Sequence, residues 1–251
     1  MISEQSWLTG NEPQQLLKLL NAPGVSISDR KLRLFSCACC RQVWHTLSDP
    51  RNRKAVEQLE TFADNLHDWS LLTSARSTLK NVLREKADTR DMGFSTLSKA
   101  TWDEAQRAAR LSSINAVFAV IQYANETLKQ QIQSGTWPES VAGMSANDMA
   151  HKIEKTMMNV ETTAITDQVN RLRDIMGNPF RKISFPKHWK TSTVRNLALS
   201  IYENRTPEDM PILGDALEEA GCDEEHILAH CYGDHVHVLG CWVVDLILGK
   251  S

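Results

Sequence analysis

Glycine and proline are scarce in this chain, 11 and 8 residues in 251, and β-branched residues seldom alternate with polar ones. That scarcity argues against a sandwich or barrel of short strands, which needs turn residues about every 8–12 positions. Positive charge is not in excess either: 28 basic residues face 31 acidic ones, for a net charge of −3. A non-specific polyanion binder needs many Lys and Arg to displace counterions, so nucleic acid is not an expected partner. The start, Met1-Ile2-Ser3-Glu4, lacks the basic and apolar stretches of a secretory signal. The longest apolar runs, near Ile114–Ile121 and Cys241–Leu248, fall far short of the ~20 residues that span a bilayer. A cytoplasmic location without membrane contact is therefore expected. In that compartment the six cysteines should be thiols. There is no Gly-rich phosphate loop, nucleophile elbow or zinc-protease helix motif.

What is present is apolar spacing of three and four, the helical period. It predicts an all-α fold of eight or nine helices in a bundle-like or orthogonal array. Trp7–Leu20 reads as the opening helix, closed by Asn21-Ala22-Pro23-Gly24. Ser28 or Asp29 caps a helix running to about Leu47. Its two apolar stripes, Leu32/Phe35/Cys39/Val43 and Cys37/Cys40/Trp44/Leu47, mark it as central to the core. Asp49-Pro50 starts a helix, and others cover Ser70–Lys86, Ser95–Arg110 and Leu111–Gln133, the last two readable as continuous. Gly135-Thr136-Trp137-Pro138 breaks the pattern. Ser145 caps a long helix that Gly177-Asn178-Pro179 ends. Thr191 or Thr193, Asp209 and Asp223 cap three more, and Cys241–Leu248 forms the last. The helix Arg30–Leu47 is expected to pack on it, since both are apolar around most of their circumference.

Several stretches resemble an uncharacterised bacterial family. They are Trp7-Leu8 with the Leu-rich helix after it; Asp29-Arg30-Lys31-Leu32-Arg33-Leu34-Phe35 with Cys37-Ala38-Cys39-Cys40-Arg41 and on to Trp44-His45; Leu172-Arg173-Asp174-Ile175 with Gly177-Asn178-Pro179-Phe180-Arg181; and Met210-Pro211-Ile212-Leu213 through Gly221-Cys222 to Ile227-Leu228, His230-Cys231, His237-Val238 and Gly240-Cys241-Trp242-Val243-Val244-Asp245. The likeness covers about the first quarter and the last third of the chain. It implies no activity. It does imply three parts: residues 1–66 and 171–251 as a shared core, and residues 67–170 as a variable helical insert, all within one compact unit.

The chemistry-bearing residues crowd near the C-terminus: Cys222, His226, His230, Cys231, His235, His237 and Cys241. His230, Cys231, His237 and Cys241 form the candidate zinc set, with mixed N and S donors. His226 and Asp245 are candidate supports, the latter or Glu225 as a base if the site were catalytic. Against this stands simple packing, because free Cys behaves as a small buried hydrophobe. Asp245, in an apolar helix, needs a partner if buried: a cation from Arg30–Arg33, or His237. Cys37, Cys39 and Cys40, beside His45, lie mid-helix in apolar surroundings and read as core thiols. Arg171, Arg173, Arg181, Lys182, Lys187 and Lys190 read as a solvated basic surface.

The resulting expectation is a helical adaptor or accessory protein that binds another protein, without catalysis and without a cofactor. The alternative is a zinc-binding protein, or a metal-dependent hydrolase, built on the C-terminal His and Cys.

Overall fold

Pro13, Pro50 and Pro211 each stand in the first turn of a helix, where a missing N–H costs nothing. Ser28, Asp49, Ser145 and Thr191 each accept a hydrogen bond from a first-turn backbone N–H, at 3.3, 2.9, 3.2 and 3.2 Å. These signals mark out the fold in a computed structural model, which describes residues 4–85, 92–134, 136 and 144–250. It is 75% helical, with no strand among the described residues. Its helices are α1 (Glu4–Thr9), α2 (Pro13–Leu19), α3 (Asp29–Gln42), α4 (Pro50–Asp64), α5 (Trp69–Glu85), α6 (Met92–Ala100), α7 (Ala105–Gln133), α8 (Ala146–Met176), α9 (Ser192–Asn204), α10 (Met210–Glu219), α11 (Glu225–Tyr232) and α12 (Trp242–Leu248). Among the described residues, no helix is long and apolar enough to cross a membrane.

Several boundaries differ from the sequence reading. α3 stops at Gln42, and a 3-10 turn, Trp44–Thr46, follows where the pattern predicts helix to Leu47. Asp209 makes no side-chain cap to α10, and Glu224 rather than Asp223 caps α11. The expected first helix is two, because Gly10 sits between them and Pro13 can only open the second. Arg110 and Leu111 lie in one continuous helix, α7, as the second of the two readings has it, and the break falls instead between Ala100 and Ala105. Of the expected break at 135–138, all but Thr136 lies outside the described residues.

Three apolar clusters fill the interior. One joins α1, α2, α7 and α8 to one side of α3, around Trp7, Leu16, Phe35, Leu172 and Ile175. Another joins α4, α5 and α6 to the opposite side of α3, around Cys37, Cys40, Phe62, Leu72 and Leu97. Both stripes of α3 are thus buried, as its pattern predicts, and Leu32 through Cys40 are all inside. The last cluster holds α9 to α12, around Met210, Leu213, Ile227, Cys231 and Val244.

The expected packing of α3 on the last helix is not what holds them together. Phe35 and Val244 belong to different clusters. The two helices meet through charge: Arg30 grips Asp245 with two hydrogen bonds of 2.7 and 3.0 Å, and Lys31 adds a second cation at 3.1 Å. The middle of the chain is not peripheral, since α5, α6 and α7 all contribute buried residues to these clusters. The expected division at residue 170 falls inside α8.

Among the described residues, one region leaves the body. From residue 120 of α7 and before residue 164 of α8, no described residue is fully buried. The two helix ends form an arm that exposes Phe118 at its root, then Tyr123, Ile132 and Met158.

Candidate metal centre

The end of α8 is turned toward the C-terminal helices by Gly177, whose φ of +64° stops the helix. A Cβ there would meet the Trp242 ring at 3.0 Å, so glycine lets α8 and α12 approach. One turn earlier, Asp174 lies between buried Leu172 and Ile175 and is itself 1% exposed. Its carboxylate is not left bare. The backbone N–H of Val238 donates to it at 2.8 Å, and the His237 Nδ1 and His230 Nε2 atoms lie 2.9 and 3.2 Å from Oδ1.

His230 comes from the last turn of α11. Gly233 then ends that helix, and a Cβ on it would strike the His235 ring at 2.4 Å. The absent side chain lets the link fold back, so that His235 Nε2 reaches His230 Nδ1 at 3.2 Å. Cys241 opens α12 as its N-cap residue. Its Sγ lies 3.1 Å from His230 Nε2 and 3.9 Å from His237 Nδ1. Asp174, His230, His235 and His237 offer one ligand atom each within 4.8 Å of one another. Cys241 adds a thiol at the same place.

The protonation of these groups follows from burial and proximity. Burial opposes ionisation of Asp174, but hydrogen bonds from His230 and His237 outweigh it and hold the carboxyl below the usual range. Burial pushes His230 down, against the pull of Asp174. Burial, helped by the neighbouring His230 and His237, also pushes His235 down. The Cys241 thiol is pushed well up by burial and then by the negative charge of Asp174. Burial thus favours the neutral imidazole at His230 and His235 beside an ionised Asp174, the forms in which such side chains ligate a divalent metal.

Of the four residues singled out by spacing, three converge: His230, His237 and Cys241. Cys231 does not. Neighbours on a helix point about 100° apart, so with His230 facing α8, Cys231 faces the core of α10 and α12. It is fully buried there, and its thiol is pushed up to about 12 by burial. His226 does not replace it, because it faces out and pairs with Arg181. Asp245 pairs with Arg30 and Lys31 rather than with His237. The carboxylate partner of His237 is Asp174, which spacing arguments miss because it lies 63 residues away in sequence. Its one signal is a charge between the apolar positions Leu172 and Ile175 of α8.

The remaining cysteines, Cys37, Cys39, Cys40 and Cys222, are buried free thiols, and burial raises the pKa of each. Nor is the basic run wholly a solvated surface. Arg173 donates to the carbonyls of Trp7, Leu8 and Gly10, tying α1 to α8. No protein-family model, curated protein or solved structure matches the chain.

Proposed function

We propose that the chain is a metal-binding helical protein, and that Asp174, His230, His237 and Cys241 hold one divalent ion of the zinc class. The observation that carries this reading is the donor spacing. Zinc bonds of about 2.0–2.3 Å in a tetrahedron imply donor–donor edges of roughly 3.3–3.7 Å. The edges here, 2.9, 3.1, 3.2 and 3.9 Å between carboxylate, imidazole and thiol atoms, bracket that range. Four protein ligands leave no position for water, so this is a structural centre rather than a hydrolytic one. It would fasten α8, α11 and α12, together with the link between the last two, at a single point. His235, hydrogen-bonded to the outer nitrogen of His230, would orient that ligand.

The test is elemental analysis of protein purified without a polyhistidine tag and without chelator. About one zinc per chain is expected, because a preformed closed site binds zinc tightly. Asp174→Asn, His237→Ala and Cys241→Ser should each lower that content, while Cys231→Ser should leave it unchanged. Less than about 0.1 metal per chain in the parent protein overturns the reading.

A second reading, an adaptor that binds another protein, is compatible with the first. It is favoured by the α7–α8 arm, which carries Phe118 and Met158, each 61% exposed. Large apolar side chains gathered on a surface mark interaction sites. The two readings fit one molecule: a metal-fastened body holding out a helical arm.

A further inference from the structure

On the far side of His237 and Cys241 lies a cavity of about 260 Å³ that the metal centre does not use. At about 30 Å³ per water-sized group it holds roughly nine such groups. Its inner walls are apolar, including Leu34, Ala38, Ile201 and Val244. Arg41, Arg171, Arg205 and Glu60 supply its charge.

Glu60 is buried and accepts from Arg41 at 2.9 and 2.8 Å and from Arg205 at 2.6 Å. Arg171 donates to Asp167 at 2.9 Å. Three guanidiniums therefore meet two carboxylates, which leaves one positive charge facing an apolar hollow. Glu57, exposed one turn away on α4, also acts on Arg41 by charge but does not line the cavity.

Two further details belong to the same place. Arg205 is the one non-glycine residue with positive φ among the described residues, at +57°. It ends α9 in the left-handed conformation that glycine or asparagine normally takes. A strained backbone persists where the surroundings require that side chain, and here the side chain reaches Glu60 at the cavity. His237 forms part of the cavity wall and its ring is 7% exposed, yet its Nε2 has no hydrogen-bond partner. When Nδ1 serves a metal, Nε2 carries the proton and calls for an acceptor oxygen.

We infer that this cavity binds a small apolar monocarboxylate, its chain on Leu34, Ala38, Ile201 and Val244 and its charge on the arginine side. Arg171 and Arg205 hold the carboxylate by charge-assisted hydrogen bonds. The apolar walls reject a more polar acid, which would lose its hydration without replacement. The arginines, not the metal, carry this inference. His237 adds one donor to it.

Octanoate and its neutral counterpart, 1-octanol, are the probes, titrated calorimetrically into full-length protein. Both the zinc-loaded and the chelator-treated forms are used, so a failure of the metal reading is not mistaken for a failure of this one. Octanoate should bind both forms, at least tenfold more tightly than octanol. Arg171→Met and Arg205→Gly should each weaken octanoate at least fivefold, and the glycine variant also removes the backbone strain. Ala38→Leu, which fills the cavity, should abolish binding while its circular dichroism stays that of the parent. Should that variant unfold, Ile201→Phe serves the same purpose from another wall. Absence of octanoate binding to both forms, equal affinity for octanol, or undiminished binding in a folded cavity-filling variant overturns the inference.

Discussion

At the scale of single residues, burial decides what each polar group does. Asp245 is 1% exposed and meets Arg30 in a two-point contact, with Arg30 also bonded to Asp64 and Tyr202. Removing Asp245 takes from Arg30 and Lys31 their one fully buried counter-ion and leaves Arg30 only Asp64, at a cost of about 3–5 kcal/mol. Asp245→Ala should therefore lower unfolding free energy by that amount in urea titration, and a loss below about 1 kcal/mol would show the pair to be solvated. Adjacent residues can differ completely. Cys231→Ser puts a hydroxyl among Ile227, Leu213 and Val244, and should cost about 1–3 kcal/mol without touching metal content. Cys241→Ser should do the reverse: a smaller cost in the chelated protein, and lost metal.

At the scale of elements, helix ends set the geometry. Gly177 holds φ at +64° with the Trp242 ring against it, so Gly177→Ala combines backbone strain with a steric clash. It should destabilise by more than about 1 kcal/mol and weaken metal binding, because it displaces Asp174 on α8 from His230 on α11. The α7–α8 arm behaves differently. Its seam is only half-buried, and a pair of helices without deep burial opens easily. Amide exchange should be fast in α8 before Ala164 and slow around Leu172 and Ile175, which lie in the core. Uniform protection along α8 would mean that the arm is packed in solution. Phe118→Ser should change the melting temperature little, since the ring is already mostly in water.

At the scale of the whole molecule, three clusters are tied by charge at their junctions, so stability depends on pH. Asp64 accepts from Arg30, Tyr202 and Lys250. Burial opposes its ionisation, but the bonds from Tyr202 and Arg30 outweigh it and hold its pKa below the ordinary value. A carboxyl depressed in the folded state contributes stability that is complete above its unfolded pKa, about 3.9, and is lost as pH falls through the folded value. Thermal melts should therefore change little for this group between pH 7 and 5 and fall below about pH 4. Asp64→Asn should flatten part of that acid limb. Chelator should lower the melting temperature of metal-loaded protein at neutral pH, since an ion bound only to the folded state stabilises it by mass action.

Periodicity and caps alone made the helices legible: the two buried stripes of α3, the proline at the head of α4 and the glycine that ends α8. These are local effects, set by backbone sterics and by which face of a helix escapes water, so neighbouring residues carry them. Spacing likewise pointed to His230, His237 and Cys241, which lie within twelve residues of one another. Tertiary structure alone decided the rest. It turned Cys231 into the core while its neighbour His230 faced the centre. It brought Asp174 to His237 from 63 residues away, and Arg30 to Asp245 from 215. Such pairings depend on how clusters dock. Docking is settled by the summed burial of many side chains, not by any short stretch of sequence.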